Sequence, residues 1–391
     1  MLKRIRVCNG ISRVDLARDL GLAPSTAGIY VERLMAEGFL TESAKTVRET
    51  GRPPKLLHLN PTGGEFIGVD FEARNIMAVA VDFADRPLRH SHKAIEEGDS
   101  VNRIVAKIQQ AVIDVLPGNP SSLLAIGIGV PGIVDSVNGI AIDYKFIPSW
   151  RNVRLAERLG RRFRVPVFLE NTMRAMALAE LWFGQGRGCG DFVCVCIRSG
   201  LGAGMVSNGR LNWGAHHSAG ELGRWRCPSI SAATAPYFYS GQQGGPELQD
   251  IASARSIQKA LQKAIVMGKA SILRSLAYPP TLEDVLQAAQ QKDALTLEVV
   301  GQAANELGSA LGNLALVVDP SKIILAGQLT PLGETFLNPV REAVTRTLRP
   351  SGLRFPEIVN STMGEYIGAL GAAALALHEW KPGRALPAPA A

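Results

Sequence analysis

The chain has 391 residues, of which 46% are hydrophobic and 20% are charged, and its formal net charge at pH 7 is +7. This composition is typical of a soluble globular protein of two or three domains. The sequence has no apolar run of about 18 residues and no signal-peptide pattern, which excludes a membrane span and predicts a cytoplasmic protein. Its five scattered cysteines, an odd number, indicate reduced thiols rather than a disulfide framework.

Residues 11–42 have the pattern of a helix-turn-helix. Ser12 is a good N-cap for the first helix, and Gly21 ends that helix because a residue without Cβ adopts the left-handed turn. Pro24 begins the second helix, where its missing N–H costs nothing, and Gly38 ends it. The sequence therefore predicts two helices joined by a short turn.

The second of these helices is predicted to be the one that reads DNA. The apolar positions expected to face inward are Val14, Leu16, Ala17 and Leu20 in the first helix and Ala27, Val31, Leu34 and Met35 in the second. The outward positions of the second helix are Ser25, Thr26, Gly28, Ile29, Glu32 and Arg33. Because the outward side chains at its start are small, this helix can enter the major groove, which is about 12 Å wide.

A wing is predicted after the second helix. Its parts are a short strand at 39–42, a polar loop at 43–49, the tip Gly51-Arg52-Pro53-Pro54 and a returning strand at 55–59. Residues 1–60 contain ten Lys and Arg against six Asp and Glu, a net charge of +4, as expected of a module that binds phosphates. Lys55 and Arg52 belong to the predicted DNA interface, with Arg52 either entering the minor groove or contacting a phosphate. The alternative is an ordinary three-helix packing unit with a solvated charged face.

Beyond the wing, strands alternate with helices. A hairpin pattern at 66–82 recurs at 192–206, with glycines at its turn, which indicates two related α/β lobes. Further strands are predicted at 123–130, 166–169 and 322–326, and helices near 101–116, 172–184, 251–268, 281–290, 294–316, 333–348 and 364–379. Two such lobes would leave a cleft, where a small ligand usually binds. Cys194 and Cys196 alternate within a strand and are expected in its core.

The order of motifs along the chain resembles the ROK family of repressors, open reading frames and sugar kinases. The motifs are Gly51-Arg52-Pro53 at the wing, Asp70, a GxPGxVD segment from Gly129 to Asp135, Trp150, and a glycine-rich signature from Ser199 to Gly223. The resemblance covers nearly the whole chain. It implies an α/β fold in which an N-terminal winged helix-turn-helix precedes a two-lobed ribonuclease H-like or actin-like ATPase domain. It also implies a nucleotide loop at Asp70, Gly200, Gly202, Gly204 and Gly327.

Two departures from the family pattern indicate that this nucleotide loop is vestigial and that no residue is catalytic. In the family's kinases a Glu-Asn-Asp triplet provides the general base, whereas this chain has Thr172 in place of the Asp. A Thr hydroxyl carries no negative charge near neutral pH, and losing a positioned base costs roughly 10²–10⁴ in rate. The phosphate loop after Asp70 lacks glycines, and Glu72 would repel a phosphate. The resemblance therefore implies a regulator rather than an enzyme.

The family's structural zinc is predicted to be absent, so no metal or other cofactor is expected. The first ligand position, a His in the family, is Arg224 here, and the segment 227–250 contains Cys227 as its one thiol. A single thiol cannot form a closed tetrahedral site. His216 and His217 do not replace the missing ligands, because adjacent side chains point apart on a strand or helix.

The sugar-contacting positions of the family are partly kept. Asn171 and Glu221 remain, whereas four other positions have become Thr172, Arg224, Gln249 and Phe146. An effector pocket is therefore predicted at Gly132, Asn171, Thr172, Glu221 and Arg224. Arg224 could bind a phosphorylated or acidic sugar, or it could form a salt bridge with Glu221 in a pocket that binds nothing.

The recognition helix also departs from the family pattern. Repressors of the family tend to have Ser-Arg where this chain has Gly28-Ile29, so no arginine reads guanine, and Ile29 could contact a thymine methyl group. Either the operator is rich in A·T pairs, or phosphate contacts and the wing supply more of the binding.

These observations predict a ROK-type transcriptional regulator, a repressor of carbohydrate-related genes, that binds double-stranded operator DNA as a homodimer or homotetramer. The predicted domains are a winged helix-turn-helix at 1–60, a first lobe at 61–172 and about 365–382, a second lobe at 173–364 and a disordered tail at 383–391. A sugar or sugar-phosphate effector would act by binding two states with different affinity. The alternatives are an ATP-dependent sugar kinase of the family and a cleft-bearing binding protein whose winged helix contacts proteins.

Overall fold

The computed structural model describes residues 1–8, 10–44, 55–72, 74–144, 147, 149–241, 243–349 and 352–383. Arg52 with the rest of the predicted wing tip, Phe146, and the predicted tail apart from Gly383 lie outside these ranges. The chain forms two compact units, a first unit of residues 1–175 and 368–391 and a second unit of residues 176–367. No helix within the described ranges is long and apolar enough to cross a bilayer.

The first sixty residues, called here the N-terminal module, begin the first unit. Their described elements are α1 (Leu2–Cys8), β1 (Ile11–Ser12), α2 (Arg13–Asp19), α3 (Pro24–Ala36), β2 (Leu40–Ala44) and β3 (Lys55–Leu59). The predicted helix ends are confirmed: the Ser12 hydroxyl accepts a hydrogen bond from the backbone N–H of Asp15 at 3.1 Å, Gly21 has a φ of +64° and Gly38 a φ of +80°. The three strands form an antiparallel sheet with β3 in the centre.

Val14 does not lie on the apolar face that the sequence predicted for α2. It is 68% exposed, whereas Leu16 and Ala17 are buried. In a helix of about 3.6 residues per turn, positions two apart lie about 160° apart around the axis. Val14 therefore faces away from Leu16, and the prediction was wrong at this residue.

The rest of the first unit is built on a five-stranded mixed sheet. Its elements in chain order are β4 (Glu65–Phe71), β5 (Asn75–Asp82), β6 (Pro87–Ala94), α4 (Val101–Asp114), β7 (Leu123–Val130), β8 (Ile133–Asp135), β9 (Ile140–Asp143), β10 (Arg151–Val153), α5 (Leu155–Phe163), β11 (Val167–Asn171) and α6 (Thr172–Phe183), which leads into the second unit. The strand order is β11-β7-β4-β5-β6, with β7 and β11 parallel to β4 and with β5 antiparallel to it. Ile104 and Ile108 of α4 share one buried core with Ile67 and Ile126 of the sheet.

The second unit repeats this order of strands. Its elements are β12 (Phe192–Ile197), β13 (Leu201–Ser207), β14 (Arg210–Asn212), α7 (Gln249–Ala252), α8 (Ala254–Val266), α9 (Leu282–Gln290), α10 (Ala294–Val318), β15 (Lys322–Gly327), α11 (Glu334–Leu348), β16 (Glu357–Asn360) and α12 (Ile367–Glu379), which returns to the first unit. The strand order is β14-β13-β12-β15-β16. Neighbours among β14, β13 and β12 are antiparallel, and β15 and β16 run parallel to β12. The predicted α/β class and both hairpins are confirmed, and Cys194 and Cys196 are buried in β12 as expected.

The single helix predicted near 251–268 is two helices in the structure, α7 and α8. They are separated at Ser253, whose hydroxyl accepts a hydrogen bond from the backbone N–H of Ser256 at 3.1 Å. The Ser256 hydroxyl accepts in turn from the backbone N–H of Ser253, which completes a capping box. This cap starts a new helix within a run that hydrophobic periodicity alone cannot divide.

Helix α12 lies against the first unit's sheet at two glycines. A Cβ at Gly68 of β4 would be 1.9 Å from the carbonyl oxygen of Ala369, and a Cβ at Gly127 of β7 would be 1.8 Å from that of Ala372. Any larger residue would force the helix away from the sheet. The two glycines therefore set the closest approach between α12 and the sheet.

Four aromatic rings join the N-terminal module to the sheet and to the end of α12, and we call them the aromatic junction. Phe39 follows α3, Phe66 lies in β4, Phe83 follows β5, and Trp380 follows α12. The ring centroid of Phe83 lies 5.0 Å from that of Phe39 and 5.8 Å from that of Trp380, and Phe66 and Trp380 are 5.7 Å apart. Edge-to-face and stacked pairs at these distances stabilise a fold beyond the burial of their surface.

Arg6 of α1 lies against the aromatic junction and carries the one buried cation in the described part of the N-terminal module. Its Nε donates a hydrogen bond to Asp85 Oδ1 at 2.7 Å, and its Nη2 donates to the carbonyl oxygen of Phe83 at 2.8 Å. The guanidinium carbon is 5.6 Å from the centroid of the Phe83 ring. Burial lowers the pKa of Arg6, and the Asp85 carboxylate opposes this shift.

We predict that Phe83→Ala lowers the free energy of unfolding by about 3–5 kcal/mol, the usual cost of truncating a buried aromatic side chain. Phe83 is 1% exposed, and its removal would leave a cavity among three other rings. Urea unfolding followed by tryptophan fluorescence measures the change. Val137→Ala is the control: Val137 is 80% exposed, so the change should be under about 0.5 kcal/mol. Equal stability of Phe83→Ala and the wild type would contradict the role given to the junction.

Candidate functional site

The outward face of α3 is exposed, as expected for a helix that reads DNA. The exposed residues among the predicted outward positions are Ser25, Thr26, Ile29, Glu32 and Arg33, and Lys55 on β3 is exposed as well. A Cβ at Gly28 would meet no atom within 4 Å, so α3 has free space at this position. Tyr30 is also exposed, which sequence analysis missed because an aromatic residue inside a helix usually belongs to the core.

Carboxylates within the N-terminal module neutralise many of its cations. The ion pairs are Arg4 with Asp19, Arg13 with Glu32 and Glu42, Arg18 with Asp15, Arg33 with Glu37, and Lys55 with Glu42. The predicted DNA contacts Arg33 and Lys55 are 2.9 Å and 3.3 Å from their partners. A phosphate that binds either cation therefore has to replace a carboxylate.

The predicted nucleotide carboxylate and the position of the missing base lie together in the first unit. Thr172, which begins α6, donates a hydrogen bond from Oγ1 to Asp70 Oδ1 at 2.9 Å, and both side chains are buried. A Cβ at Gly129 would be 3.0 Å from the same carboxylate oxygen. The ends of β4, β7 and β11 therefore meet here, at what we call the strand-end site, and the residue at the predicted position of the base is a hydrogen-bond donor.

Glu170 does not replace the missing base. Its Oε1 accepts hydrogen bonds from Nε of Arg174 at 2.8 Å and from the backbone N–H of Asn171 at 2.6 Å. Glu170 and Arg174 are both buried, and their opposite charges compensate each other. Sequence analysis missed Arg174, although it is one of only two charged residues in the mostly apolar α6, the other being Glu180.

The structure brings two predicted effector positions of the first unit together. Asn171 Nδ2 donates a hydrogen bond to the carbonyl oxygen of Gly132 at 2.9 Å, and Asn171 Oδ1 accepts from the backbone N–H of Met173 at 2.8 Å. Gly132 has a φ of +79°, and a Cβ there would be 2.2 Å from the carbonyl oxygen of Asp143. The Asn171 side chain therefore links the start of α6 to the turn between β7 and β8 that contains Gly132.

The four glycines assigned to the vestigial nucleotide loop lie at two places in the second unit: three in the β12–β13 hairpin and one at the end of β15. Gly200 lies in the turn between β12 and β13, whereas Gly202 and Gly204 lie within β13 opposite Cys196 and Cys194. Gly327 ends β15 with a φ of +104°, and a Cβ there would be 2.2 Å from the carbonyl oxygen of Ile197. A residue with a Cβ would therefore be strained at position 327, both by its φ and by the nearby Ile197 carbonyl oxygen.

Glu221 and Arg224 form an ion pair on the surface of the second unit. Arg224 Nε is 3.0 Å from Glu221 Oε2, and more than half of each side chain is exposed. The adjacent Trp225 is 40% exposed, and sequence analysis did not single it out. An exposed ion pair contributes little to stability, so a ligand could replace the contact between Glu221 and Arg224 at a small cost in free energy.

The segment after Arg224 is held by backbone contacts and apolar packing. A β-bridge joins Arg226 to Glu247, and the Cys227 N–H donates to the carbonyl oxygen of Pro246 at 3.0 Å. Burial raises the pKa of Cys227 to about 12, so its sulfur stays a protonated thiol, a poor metal ligand. Ile230 and Phe238 join the core of the second unit. Within the ranges that the structure describes, no group of three or more His, Cys, Asp or Glu residues could hold a metal ion.

Comparison with known proteins identifies the family. The family model described as ROK family matches residues 66–379. The chain belongs to the ROK family. It is 26% identical over 353 residues to the xylose repressor of Caldicellulosiruptor bescii, covering 88% of this chain and 86% of that protein.

Other ROK proteins similar to this chain include a kinase and a regulator. The glucokinase of Thermotoga maritima is 31% identical over 275 residues, covering 70% of this chain and 84% of that protein. The crystal structure of a ROK family transcriptional regulator, a homologue of the Escherichia coli MLC protein, has a TM-score of 0.75 at 24% identity and covers 94% of this chain and 92% of its own. The ROK fold alone therefore does not separate regulators from kinases.

In this ROK domain, we predict that Thr172→Val lowers the free energy of unfolding by about 1–3 kcal/mol. The substitution keeps the side-chain shape but removes the donor to the buried Asp70 carboxylate. Thermal unfolding measures the change, and Thr172→Ser, which keeps the hydroxyl, is the matched control. If the valine variant is at least as stable as the serine variant, the hydrogen bond to Asp70 is not what stabilises this site.

Proposed function

We propose that this ROK chain is a DNA-binding transcriptional regulator, a repressor of carbohydrate-related genes, whose kinase-like domain does not transfer phosphate. The proposal rests on the N-terminal module. This module precedes residues 66–379, which match the family model, and its helix α3 has an exposed outward face. Helices α2 and α3 followed by the β2 and β3 hairpin have the element order of a winged helix-turn-helix. The match to the xylose repressor extends over 88% of the chain, against 70% for the glucokinase.

The state of the strand-end site supports the view that the chain is not an enzyme. Asp70 accepts a hydrogen bond from Thr172, and Glu170 is paired with Arg174. The residue at the position of the family's base is Thr172, whose hydroxyl donates to Asp70 and carries no charge that could deprotonate a sugar hydroxyl. A sugar kinase is the second candidate, because the glucokinase is 31% identical to this chain.

A sugar or sugar-phosphate effector is the proposed signal. In the first unit it would contact Asn171 and Gly132, whose groups line the turn into α6. In the second unit it would contact Glu221 and Arg224, where an anionic group could replace the Glu221 carboxylate beside the guanidinium. We further propose that the regulator binds its operator as a symmetric homodimer or homotetramer, with half-sites about one helical turn or a multiple apart.

Binding of DNA is tested with the promoter fragment of the chain's own gene. Wild-type protein should retain the fragment with an affinity that falls steeply as salt rises, because counterions are released from the phosphates. Thr26→Asp should abolish retention, since it adds a negative charge to the outward face, while an acidic residue in the first turn does not weaken the helix. Val137→Asp, at another exposed position, is the control. Phosphoryl transfer from ATP to any sugar of a panel at enzymatic rates would favour the kinase instead.

The effector is tested by thermal shift with a panel of sugars and sugar phosphates. A ligand present at about 100 times its Kd should stabilise the wild type by about 2.7 kcal/mol. The shift should shrink in Glu221→Ala and, separately, in Asn171→Ala, and Arg224→Ala should remove the response to phosphorylated sugars alone. A panel in which no compound shifts the wild type, or in which all variants respond equally, contradicts the proposed effector positions.

A further inference from the structure

The outward face of α3 carries a line of side chains whose chemistry suits particular bases. Ser25, Ile29 and Glu32 are spaced four and three residues apart, so they lie in one row along the helix. The row faces away from Ala27 and Val31, which are buried in the module. Ile29 is 70% exposed, and the Glu32 side chain is 65% exposed.

Glu32 is an unexpected residue on a surface that meets phosphates. A carboxylate is repelled by the phosphates of the DNA backbone, so its favourable contact with a duplex is a hydrogen bond accepted from a base. In the major groove the matching donor is the N4 amino group of cytosine, which Glu and Asp side chains accept from. Adenine is matched instead by the amide of Asn or Gln, which both donates and accepts.

Arg13 holds the Glu32 carboxylate in place. Its Nη1 donates to Glu32 Oε1 at 2.6 Å, while its Nε donates to Glu42 Oε1 of β2 at 2.6 Å. The guanidinium is thus fixed between the start of α2, the recognition helix and the wing. These two hydrogen bonds raise the pKa of Arg13, so its charge persists at any working pH. The Glu32 oxygen that Arg13 does not engage keeps its capacity to accept.

The neighbourhood of Glu32 leaves room for a base edge. Gly28 precedes it by one turn, and a Cβ there would meet no atom of another part of the protein within 4 Å. Packing within the module therefore does not require a glycine at this position, which costs the helix about 1 kcal/mol relative to alanine. Free space beside Ile29 and Glu32 allows the duplex to come close to the helix axis.

We propose that Glu32 is a specificity-determining residue that reads a cytosine of the operator, beside a thymine whose methyl group Ile29 contacts, and that Arg13 is its positioning residue. The inference rests on the proposed DNA-binding function and adds the base class to it. Arg33, which is paired with Glu37 just beyond the end of α3, is assigned no base contact.

The experiment is selection of bound duplexes from a random library by the full-length wild type and by Glu32→Gln, followed by affinity measurement on the selected sites. For the wild type, exchanging the selected C·G pair for another should weaken binding about 5- to 150-fold, the factor for one mismatched pair. Glu32→Gln should select adenine at this position, since glutamine pairs with adenine N6 and N7. Arg13→Ala should keep the cytosine preference but reduce its size.

Glu37→Gln is the matched control, because it also removes one carboxylate of an ion pair on α3. It should change affinity for all duplexes alike and leave base preference unchanged. If Glu32→Gln behaves in the same way, Glu32 acts only by repelling phosphates and the inference is overturned. A wild type that selects no duplex overturns the proposed function itself, so the two failures are distinct.

Discussion

The contact of Phe83 with Phe39, Phe66 and Trp380 is the constraint on which the first unit depends. These rings come from the N-terminal module, from β4, from the turn after β5 and from the chain segment after α12. Phe39 lies three residues after Ala36, the last residue of α3, so the junction is close to the end of the proposed DNA-reading helix. The hydrogen bonds of Arg6 to Asp85 and to the Phe83 carbonyl oxygen also join α1 to the aromatic junction. The position of the proposed DNA-reading helix on the sheet is therefore set by packing rather than by a linker.

Strand β4 connects this junction to the strand-end site. Phe66, Gly68 and Asp70 alternate along the strand, so all three lie on one face of the sheet, while Ile67, Val69 and Phe71 belong to the core on the other face. Phe66 contacts Trp380, Gly68 touches α12, and Asp70 accepts the hydrogen bond from Thr172. At about 3.3 Å per residue the three contacts span only about 13 Å. A change of register in β4 would disturb all three at once.

Local signals were predictable from the sequence, and contacts between distant segments were not. Ser12, Gly21, Pro24 and Gly38 mark helix ends through the conformation or hydrogen bonding of a single residue, and the buried strands β7 and β12 are apolar runs. Strand β6 was missed because its exposed edge is polar, and β16 because it has four residues. The aromatic junction and the Glu170–Arg174 pair have no local pattern, since their partners meet only in the folded chain. Likewise, the resemblance assigned Thr172 to a lost base but did not reveal its bond to Asp70.

The strand-end site is stable without a ligand because its polar groups satisfy one another. The Thr172 hydroxyl binds Asp70, Arg174 neutralises Glu170, and the Asn171 amide binds Gly132. Buried charges and donors left without partners cost several kcal/mol each, so these internal partners stabilise the buried groups of the site. Asn171 is the member of this set that stays partly exposed, with amide hydrogen-bonding capacity beyond its two internal bonds. A ligand that uses this capacity would act on the turn between β11 and α6, which is continuous with the Thr172 bond to β4.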